Sequence, residues 1–109
     1  IHVDKEKAAA GPFGTTIAHG FLTLSHLPFF SYQVPLKMKG SKMSINYGLD
    51  KVRFLNPVVS GAKIRDRITL KSLEEKPGNR LLISQVHTIE IEGQEKPACI
   101  AESLGMIFF

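Results

Sequence analysis

Residues 18–32, with the sequence AHGFLTLSHLPFFSY, decide how the rest of the chain has to fold. Apolar residues cover almost every side of the helix that this segment predicts, with Phe21, Leu24 and Leu27 at near-helical spacing. A helix that is apolar on most sides is a buried helix. Pro28 removes one backbone hydrogen bond, so we expect the helix to kink or end early at that point.

The chain after Lys42 changes from helical spacing to the alternation of apolar and polar side chains that is typical of strands. Residues 35–40 form a second break between the two regions. We predict about four or five antiparallel strands, with a strong turn signal at Pro77-Gly78-Asn79. The segments that predict strands are residues 43–47, 49–59, 64–73, 81–92 and 98–108. Two apolar faces are expected, one of Leu81, Ile83, Ile89 and Ile91, and one of Ile100, Leu104, Met106 and Phe108.

The order of these elements, helices first and strands afterwards, favours an α+β fold. An antiparallel sheet with one polar face has to cover its other face. Only the helix at residues 18–32 is apolar enough to provide that cover. We therefore expect a curved antiparallel sheet wrapped around one long buried helix, which is the hotdog fold.

The size and composition of the chain are those of one globular domain, covering residues 1–109. No apolar run approaches the roughly 18–20 residues of a membrane span, so no membrane partner is expected. Cys99 is the only cysteine, which excludes an internal disulfide and favours a reducing, cytoplasmic location. The net charge of +4 suits an anionic ligand such as nucleic acid or coenzyme A, or reflects only a mildly basic surface. The basic residues form no dense run with aromatics, so nucleic acid is not expected.

The first turn of the chain carries its own helix signals. Asp4 is a good N-cap for a short helix over residues 5–10, and Gly11 with Pro12 ends it. Cys99 is expected to be a small buried strand residue. His26 and His87 have no partners that the sequence names, and both are expected on the surface or on a strand face. No cysteine and histidine cluster has the spacing of metal ligands, so no metal site is expected.

Two short motifs carry a resemblance to a known family. His2-Val3-Asp4 and Ile17-Ala18-His19-Gly20 are similar, in order and separation, to the signature of the MaoC-like (R)-specific enoyl-CoA hydratases. The segments NYGL at residues 46–49 and KPACIAE at residues 96–102 resemble the NodN-like branch of that family. The resemblance covers essentially the whole chain, and it implies a hotdog fold, a homodimer and an acyl-CoA substrate of fatty-acid metabolism, with no separate cofactor.

One part of the family signature does not occur in residues 1–109. The resemblance implies a catalytic Asp five positions before His2, which would precede Ile1, together with an N-terminal helical segment. We expect that the sequence belongs to a longer enzyme that has both. The alternative is a catalytically impaired protein.

Five residues are candidates for the site. His2 is the expected catalytic group, because imidazole titrates near neutrality and can move the protons of a hydration. The backbone N–H of Gly20 is expected to bind the thioester oxygen, although glycine at this position would also serve tight helix packing. His19, Ser25 and Phe21 are expected to contact substrate. For His19 a structural role is favoured over a chemical one, and for Ser25 a hydrogen bond within its own helix is favoured over a substrate contact.

These observations predict a hydro-lyase that reversibly hydrates trans-2-enoyl-CoA to (R)-3-hydroxyacyl-CoA. The alternatives are a hotdog acyl-CoA thioesterase, which would need a carboxylate near the thioester, and a non-catalytic acyl-thioester-binding module. Lys51, Arg53 and Lys63 are candidates to meet the coenzyme A phosphates.

Overall fold

The computed structural model describes residues 1–34 and 37–109, and the described residues form three short helices and one four-stranded sheet. No helix among them is long and apolar enough to cross a membrane. The strand order is β1-β4-β3-β2, and all neighbouring strands are antiparallel. The elements are α1 (Lys5–Ala9), α2 (Gly20–Leu24), α3 (Leu27–Gln33), β1 (Met43–Phe54), β2 (Ile64–Lys76), β3 (Arg80–Ile91) and β4 (Cys99–Phe108).

The expectation of one continuous helix over residues 18–32 is wrong, because the chain makes a turn between α2 and α3. The predicted interruption is present, but it lies at Ser25 and His26 rather than at Pro28, which lies in the first turn of α3, where a missing N–H costs little. Ser25 Oγ and His26 Nδ1 both bond the carbonyl of Leu22, at 2.6 Å and 2.8 Å, which satisfies an acceptor at the end of α2. The second break, predicted at residues 35–40, begins outside the described residues.

The helical segment is buried on one side only. Thr23 and Leu27 are buried, whereas Phe21 and Tyr32 are 77% and 88% exposed. The expectation that most sides of this segment are buried is therefore wrong for the described chain. The segment has more apolar surface than the four-stranded sheet covers.

The core lies between α3 and the face of the sheet that carries Ile89 and Cys99, which we call the inner face. These two residues are directly paired across β3 and β4, and both are fully buried. The predicted burial of Cys99 is thus confirmed. The core cluster consists of Leu27, Ile89, Ile91, Ala98, Cys99 and Ala101.

The predicted strand faces follow the uninterrupted register of β3 and β4. Because side chains alternate along a strand, Leu81, Ile83, Ile89 and Ile91 share the inner face, as expected. The apolar set from Ile100 to Phe108 shares one face too, but that face is the opposite one. The sheet therefore carries apolar residues on both sides.

The strand boundaries differ from prediction mainly in β1. Residues 43–54 form one strand rather than two, with register shifts between Asn46 and Gly48 and between Leu49 and Val52. Such irregularities bend a strand without ending it. The turn at residues 77–79 is confirmed, with Gly78 at φ 82° and Asn79 at φ 55°. The cap of α1 is also confirmed, since Asp4 accepts from the N–H of Lys7 at 3.0 Å.

Candidate active site

A cleft of about 250 Å³ lies beside the start of α2, and we call it the small cleft. It brings together the two residues on which the sequence-based hypothesis depends, His2 and Gly20. The remaining walls come from the end of β1, the segment that follows it, and the residue before β4. The lining residues are His2, Ile17, Ala18, Gly20, Thr23, Phe54, Leu55, Asn56, Pro57, Val58 and Ala98.

The His2 ring is oriented by one hydrogen bond. Its Nδ1 lies 2.8 Å from the carbonyl oxygen of Ile17, and a carbonyl can only accept, so Nδ1 carries the proton and donates it. In the neutral ring this leaves Nε2 with a lone pair. That is the state a general base requires. His2 is half-buried, which keeps the ring at the cleft rather than in free solvent.

The backbone around Ile17 holds this arrangement in place. Ile17 donates to the carbonyl of Ile1 at 3.0 Å, so two hydrogen bonds join this residue to the segment that carries His2. On its other side, Ala18 donates to the carbonyl of Val58 at 2.8 Å, and Ile17 forms an isolated bridge with Val59. With Ala98 added, the cleft is thus assembled from four segments that are distant in sequence.

Gly20 begins α2, and its lack of a side chain is required by Phe54. A Cβ atom at position 20 would lie 2.9 Å from Cγ and Cδ1 of the Phe54 ring, closer than real Cβ contacts. The packing explanation for this glycine therefore has direct support. Nothing in residues 1–34 or 37–109 is found to accept from the Gly20 N–H, as is usual for the first residues of a helix. The two roles are compatible.

The three predicted substrate contacts lie outside the small cleft. His19 is exposed and stacks on His2, with 3.8 Å between ring centroids. Phe21 is exposed, and its ring centroid lies 5.8 Å from that of Phe54. Ser25 is exposed and bonds its own helix, which the sequence offered as the alternative to a substrate contact.

Two residues of the small cleft were not found from the sequence. Thr23 is 5% exposed and lines the cleft. Helical spacing could have identified it, because a residue three positions after Gly20 lies on the same side of a helix, whereas Ser25 does not. Asn56 also lines the cleft, and its side-chain amide donates to Gln94 Oε1 and to the carbonyl of Lys96. Nothing in the local sequence predicts that contact.

His87 lies on a strand face, as one of the two predicted alternatives requires, and it is buried rather than at the surface. Its side chain is 1% exposed, with Nδ1 2.7 Å from Asp66 Oδ2 and Nε2 2.9 Å from Ser103 Oγ. The Asp66 side chain is fully buried, and its Oδ1 has no hydrogen-bond partner in the described chain. An unpaired buried acceptor typically costs about 1–3 kcal/mol. The sequence missed this group because its members come from three different strands.

A second cleft, of about 1040 Å³, lies between α3 and the inner face, and we call it the large cleft. His87, Ser103 and Gln85 are among its lining residues, as is Ser25. Gly105 lies on its floor opposite Ile83, and a Cβ at position 105 would come within 3.1 Å of Ile83 Cγ2.

Comparison with known proteins assigns the chain to a family. The sequence profile described as "MaoC like domain" matches residues 1–92. The chain belongs to the MaoC-like domain family. It is 51% identical over 104 residues to 3-hydroxyacyl-thioester dehydratase Z of Mycobacterium tuberculosis, covering 95% of this chain and 68% of that protein. It is 42% identical over 110 residues to Nodulation protein N of Rhizobium leguminosarum bv. viciae, covering 100% of this chain and 68% of that protein.

The family fold is shared as well. The unliganded R-hydratase PhaJ1 of Pseudomonas aeruginosa superimposes with a TM-score of 0.67 at 25% sequence identity, covering 96% of this chain and 61% of that structure. The hotdog fold and the MaoC-like resemblance predicted from the sequence are therefore confirmed. Two of these relatives are named for dehydration or hydration, whereas Nodulation protein N carries no such name.

Proposed function

We propose that this chain carries the site of a hydro-lyase that reversibly adds water to trans-2-enoyl-CoA and gives (R)-3-hydroxyacyl-CoA. One observation carries the proposal. His2, with Nδ1 bonded to a carbonyl, lines the same 250 Å³ cleft as Gly20, whose backbone N–H has no acceptor within residues 1–34 and 37–109. A proton-transfer group and an oxyanion donor are the two parts that this addition requires.

The proposed reaction assigns one step to each group. As water attacks C3 of the enoyl thioester, Nε2 of His2 accepts one of its protons. Negative charge develops on the thioester oxygen, and the N–H of Gly20 stabilises it by a hydrogen bond. The enolate then takes up at C2 the proton that Nε2 accepted from water, which completes the addition and returns His2 to its starting state. The Asp expected five positions before His2 would help to hold the water and lies outside residues 1–109.

The His2-Val3-Asp4 motif supports the hydratase over the thioesterase, because it resembles the hydratase signature and its imidazole lines the small cleft. A hotdog thioesterase would instead need a carboxylate to attack the carbonyl carbon or to activate water there. The acyl-thioester-binding module remains the second candidate, because it needs the cleft but not the proton transfer.

Substrate binding also needs positive charge for the coenzyme A phosphates, and we propose Lys51, Arg53 and Lys63 for this role. In the described ranges, the ion pairs use other cations, among them Arg65 and Arg67, which both bond Glu90. Lys51, Arg53 and Lys63 make no ion pair within 4.0 Å among the described residues, although Lys51 contributes to the lowered pKa of Glu102 and Arg53 donates to the carbonyl of Val52. We place the protein in the cytoplasm, which its single cysteine supports.

We further propose that the protein is a homodimer. β1 is an edge strand, and an edge strand presents unpaired backbone groups to another chain. Its side chains Met43, Ile45 and Tyr47 are 53%, 45% and 60% exposed, which is costly for a lone protomer. Light scattering should give twice the protomer mass, and Ile45→Lys should shift the protein towards monomer. A monomeric wild-type protein would exclude the dimer.

The decisive experiment follows the absorbance of the enoyl thioester with the longest form of the protein that its gene encodes. His2→Ala should lower kcat/KM by about 100-fold or more, the usual contribution of a general acid–base group. His2→Asn should lower kcat/KM by as much, although the asparagine amide can still donate to the Ile17 carbonyl.

The matched control is His26→Ala, which removes an imidazole that also bonds a carbonyl at 2.8 Å but lies outside the small cleft. It should leave kcat/KM unchanged. Full activity of the His2 variants would remove His2 from the mechanism. Thioester binding without turnover by the wild-type protein would establish the binding module instead.

A further inference from the structure

The large cleft has a mixed lining of polar and apolar side chains, and one row of polar groups on its sheet side is buried. Leu24 and Leu27 line the cleft from the helical side, and Ile68 and Ile83 from the sheet. His87 and Ser103 line it as well, and His87 bonds Asp66, which lies outside the lining. Asp66 and His87 are almost completely excluded from solvent. A buried ionisable pair is weak evidence for stability, and local departures from apolar packing concentrate at functional sites.

The sheet register explains how the row forms. Asp66 is paired with Ile89 and His87 with Ile68, so Asp66 and His87 are diagonal neighbours on the inner face. His87 is paired with Ala101, which makes Ser103 its diagonal neighbour on the other side. Diagonal neighbours of this kind lie within reach of long and aromatic side chains.

The direction of the hydrogen bonds determines what the row offers to a ligand. The Asp66 carboxylate can only accept, so Nδ1 of His87 donates to it. In the neutral ring, Nε2 then accepts from the Ser103 hydroxyl. Ser103 Oγ lies at the wall of the large cleft, where the hydrogen bond to His87 fixes its position and leaves a lone pair for a ligand.

Gln85 completes the polar patch. It is paired directly with Ser103 across β3 and β4, so the two side chains stand side by side on the inner face. Its amide supplies both a donor and an acceptor at the same wall of the large cleft. A hydroxyl group of a ligand can donate to one of these two side chains and accept from the other, so it satisfies both.

An alternative use of the row, as a nucleophilic Ser-His-Asp triad, fits the structure less well. Acyl transfer at Ser103 would need N–H donors aimed at the developing oxyanion. Ser103 lies inside β4, which is paired on one side with β1 and on the other with β3. The backbone groups around it are therefore committed to the sheet, and the row is better suited to binding than to bond cleavage.

We propose that Ser103 and Gln85 form a subsite for a hydroxyl group carried on the distal part of the acyl chain, with His87 and Asp66 as positioning residues. This proposal rests on the proposed function for the acyl thioester itself. Ala98 lines the small cleft, and Ser103 lies five residues further along β4, at about 17 Å for a strand rise of about 3.4 Å per residue. The hydroxyl would therefore be remote from the thioester.

The test compares dodecanoyl-CoA with its terminally hydroxylated analogue, both saturated, by calorimetric titration of the full-length protein. Decanoyl and tetradecanoyl pairs extend the range of reach. We expect the hydroxylated member of at least one pair to bind about tenfold more tightly, which corresponds to 1.4 kcal/mol. Because saturated thioesters cannot be hydrated, this result does not depend on turnover.

Three variants locate the preference. Ser103→Ala should abolish it and leave the affinity for the unsubstituted thioester unchanged, whereas Ser103→Thr, which keeps a hydroxyl, should retain it. His87→Gln should reduce the preference through Ser103, again without weakening the unsubstituted ligand. Ser72→Ala is the matched control, because Ser72 is an exposed serine in β2 outside the large cleft, and it should behave as the wild type.

Equal affinities for all three pairs in the folded wild-type protein would overturn the proposal, as would a preference that survives Ser103→Ala. Gln85→Leu provides an independent arm if Ser103→Ala does not fold, and it should abolish the same preference. Hydration of plain enoyl thioesters by a protein without any hydroxyl preference would refute the subsite and leave the proposed function intact. A preference for the hydroxylated thioesters without hydration of enoyl thioesters would support the subsite and refute the proposed function.

Discussion

The contact between Gly20 and Phe54 leads to a quantitative prediction for Gly20→Ala. The added Cβ would lie 2.9 Å from two ring atoms of Phe54, about 0.5 Å inside the 3.4 Å at which ordinary contacts begin. Overpacking of this kind costs about 1–3 kcal/mol. Phe54 is 46% exposed and its ring can move outwards, so we expect the lower end, about 1 kcal/mol.

The assay is a double-mutant cycle in urea, followed by circular dichroism. Phe54→Leu removes the ring that the new Cβ would meet, so the cost of Gly20→Ala should be largely absent in that background. The coupling free energy should be about 1 kcal/mol, above the roughly 0.5 kcal/mol within which independent sites add. The slope of unfolding against urea should stay constant, which would show that the change is one of stability.

Gly48→Ala is the matched control for this cycle. It is the same substitution at a glycine with no atom within 4 Å of the new Cβ, so its effect on the unfolded chain is comparable. Its coupling to Phe54→Leu should be near zero. Strictly additive effects for Gly20→Ala and Phe54→Leu would refute the steric explanation.

Three further predictions concern stability and reactivity. The hydrogen bond from Arg67 lowers the pKa of Glu90, so this carboxylate stabilises the folded protein above its unfolded pKa of about 4.3, and that stabilisation is lost as the pH falls through the lower folded value. The stability advantage of wild type over Glu90→Gln should therefore shrink below about pH 4.3 in urea titrations, whereas Glu75→Gln should show no such trend. Burial raises the pKa of the Cys99 thiol, so iodoacetamide should modify it, by mass spectrometry, far more slowly in the folded than in the unfolded protein, and equal rates would contradict its burial. Asp4→Ala should lower the thermal midpoint by the equivalent of about 1 kcal/mol through loss of the α1 cap, and an unchanged midpoint would show that α1 does not melt with the domain.

The features that the sequence predicted correctly depend on neighbours along the chain. The Asp4 cap needs only a backbone N–H three residues on. The turn at residues 77–79 follows from the same kind of local preference. The two family motifs placed His2 and Gly20 together, and the small cleft contains both.

The features that the sequence could not predict depend on the pairing register of the strands and on how much of the helical segment the sheet buries. His87 looks like any polar strand residue until the pairing of β2, β3 and β4 places Asp66 and Ser103 beside it. The exposure of Phe21 and Tyr32 could not be foreseen either, because periodicity shows that a surface is apolar and not how much of it the sheet reaches. The substrate contacts proposed for His19, Ser25 and Phe21 stay predictions.

Gly105 and Ile83 lie so close together that the side-chain volume tolerated at one position depends on the volume at the other. A methyl group added at 105 would press on Cγ2 of Ile83 and would be relieved by removing a methyl group at 83, so the pair can exchange volume between adjacent strands. Each such exchange would move the side chain that projects into the large cleft from one strand to the next, by about 4.8 Å, without changing the helices that form the opposite wall. Descendants of one gene could in this way diverge in the shapes they admit while keeping the same chemistry.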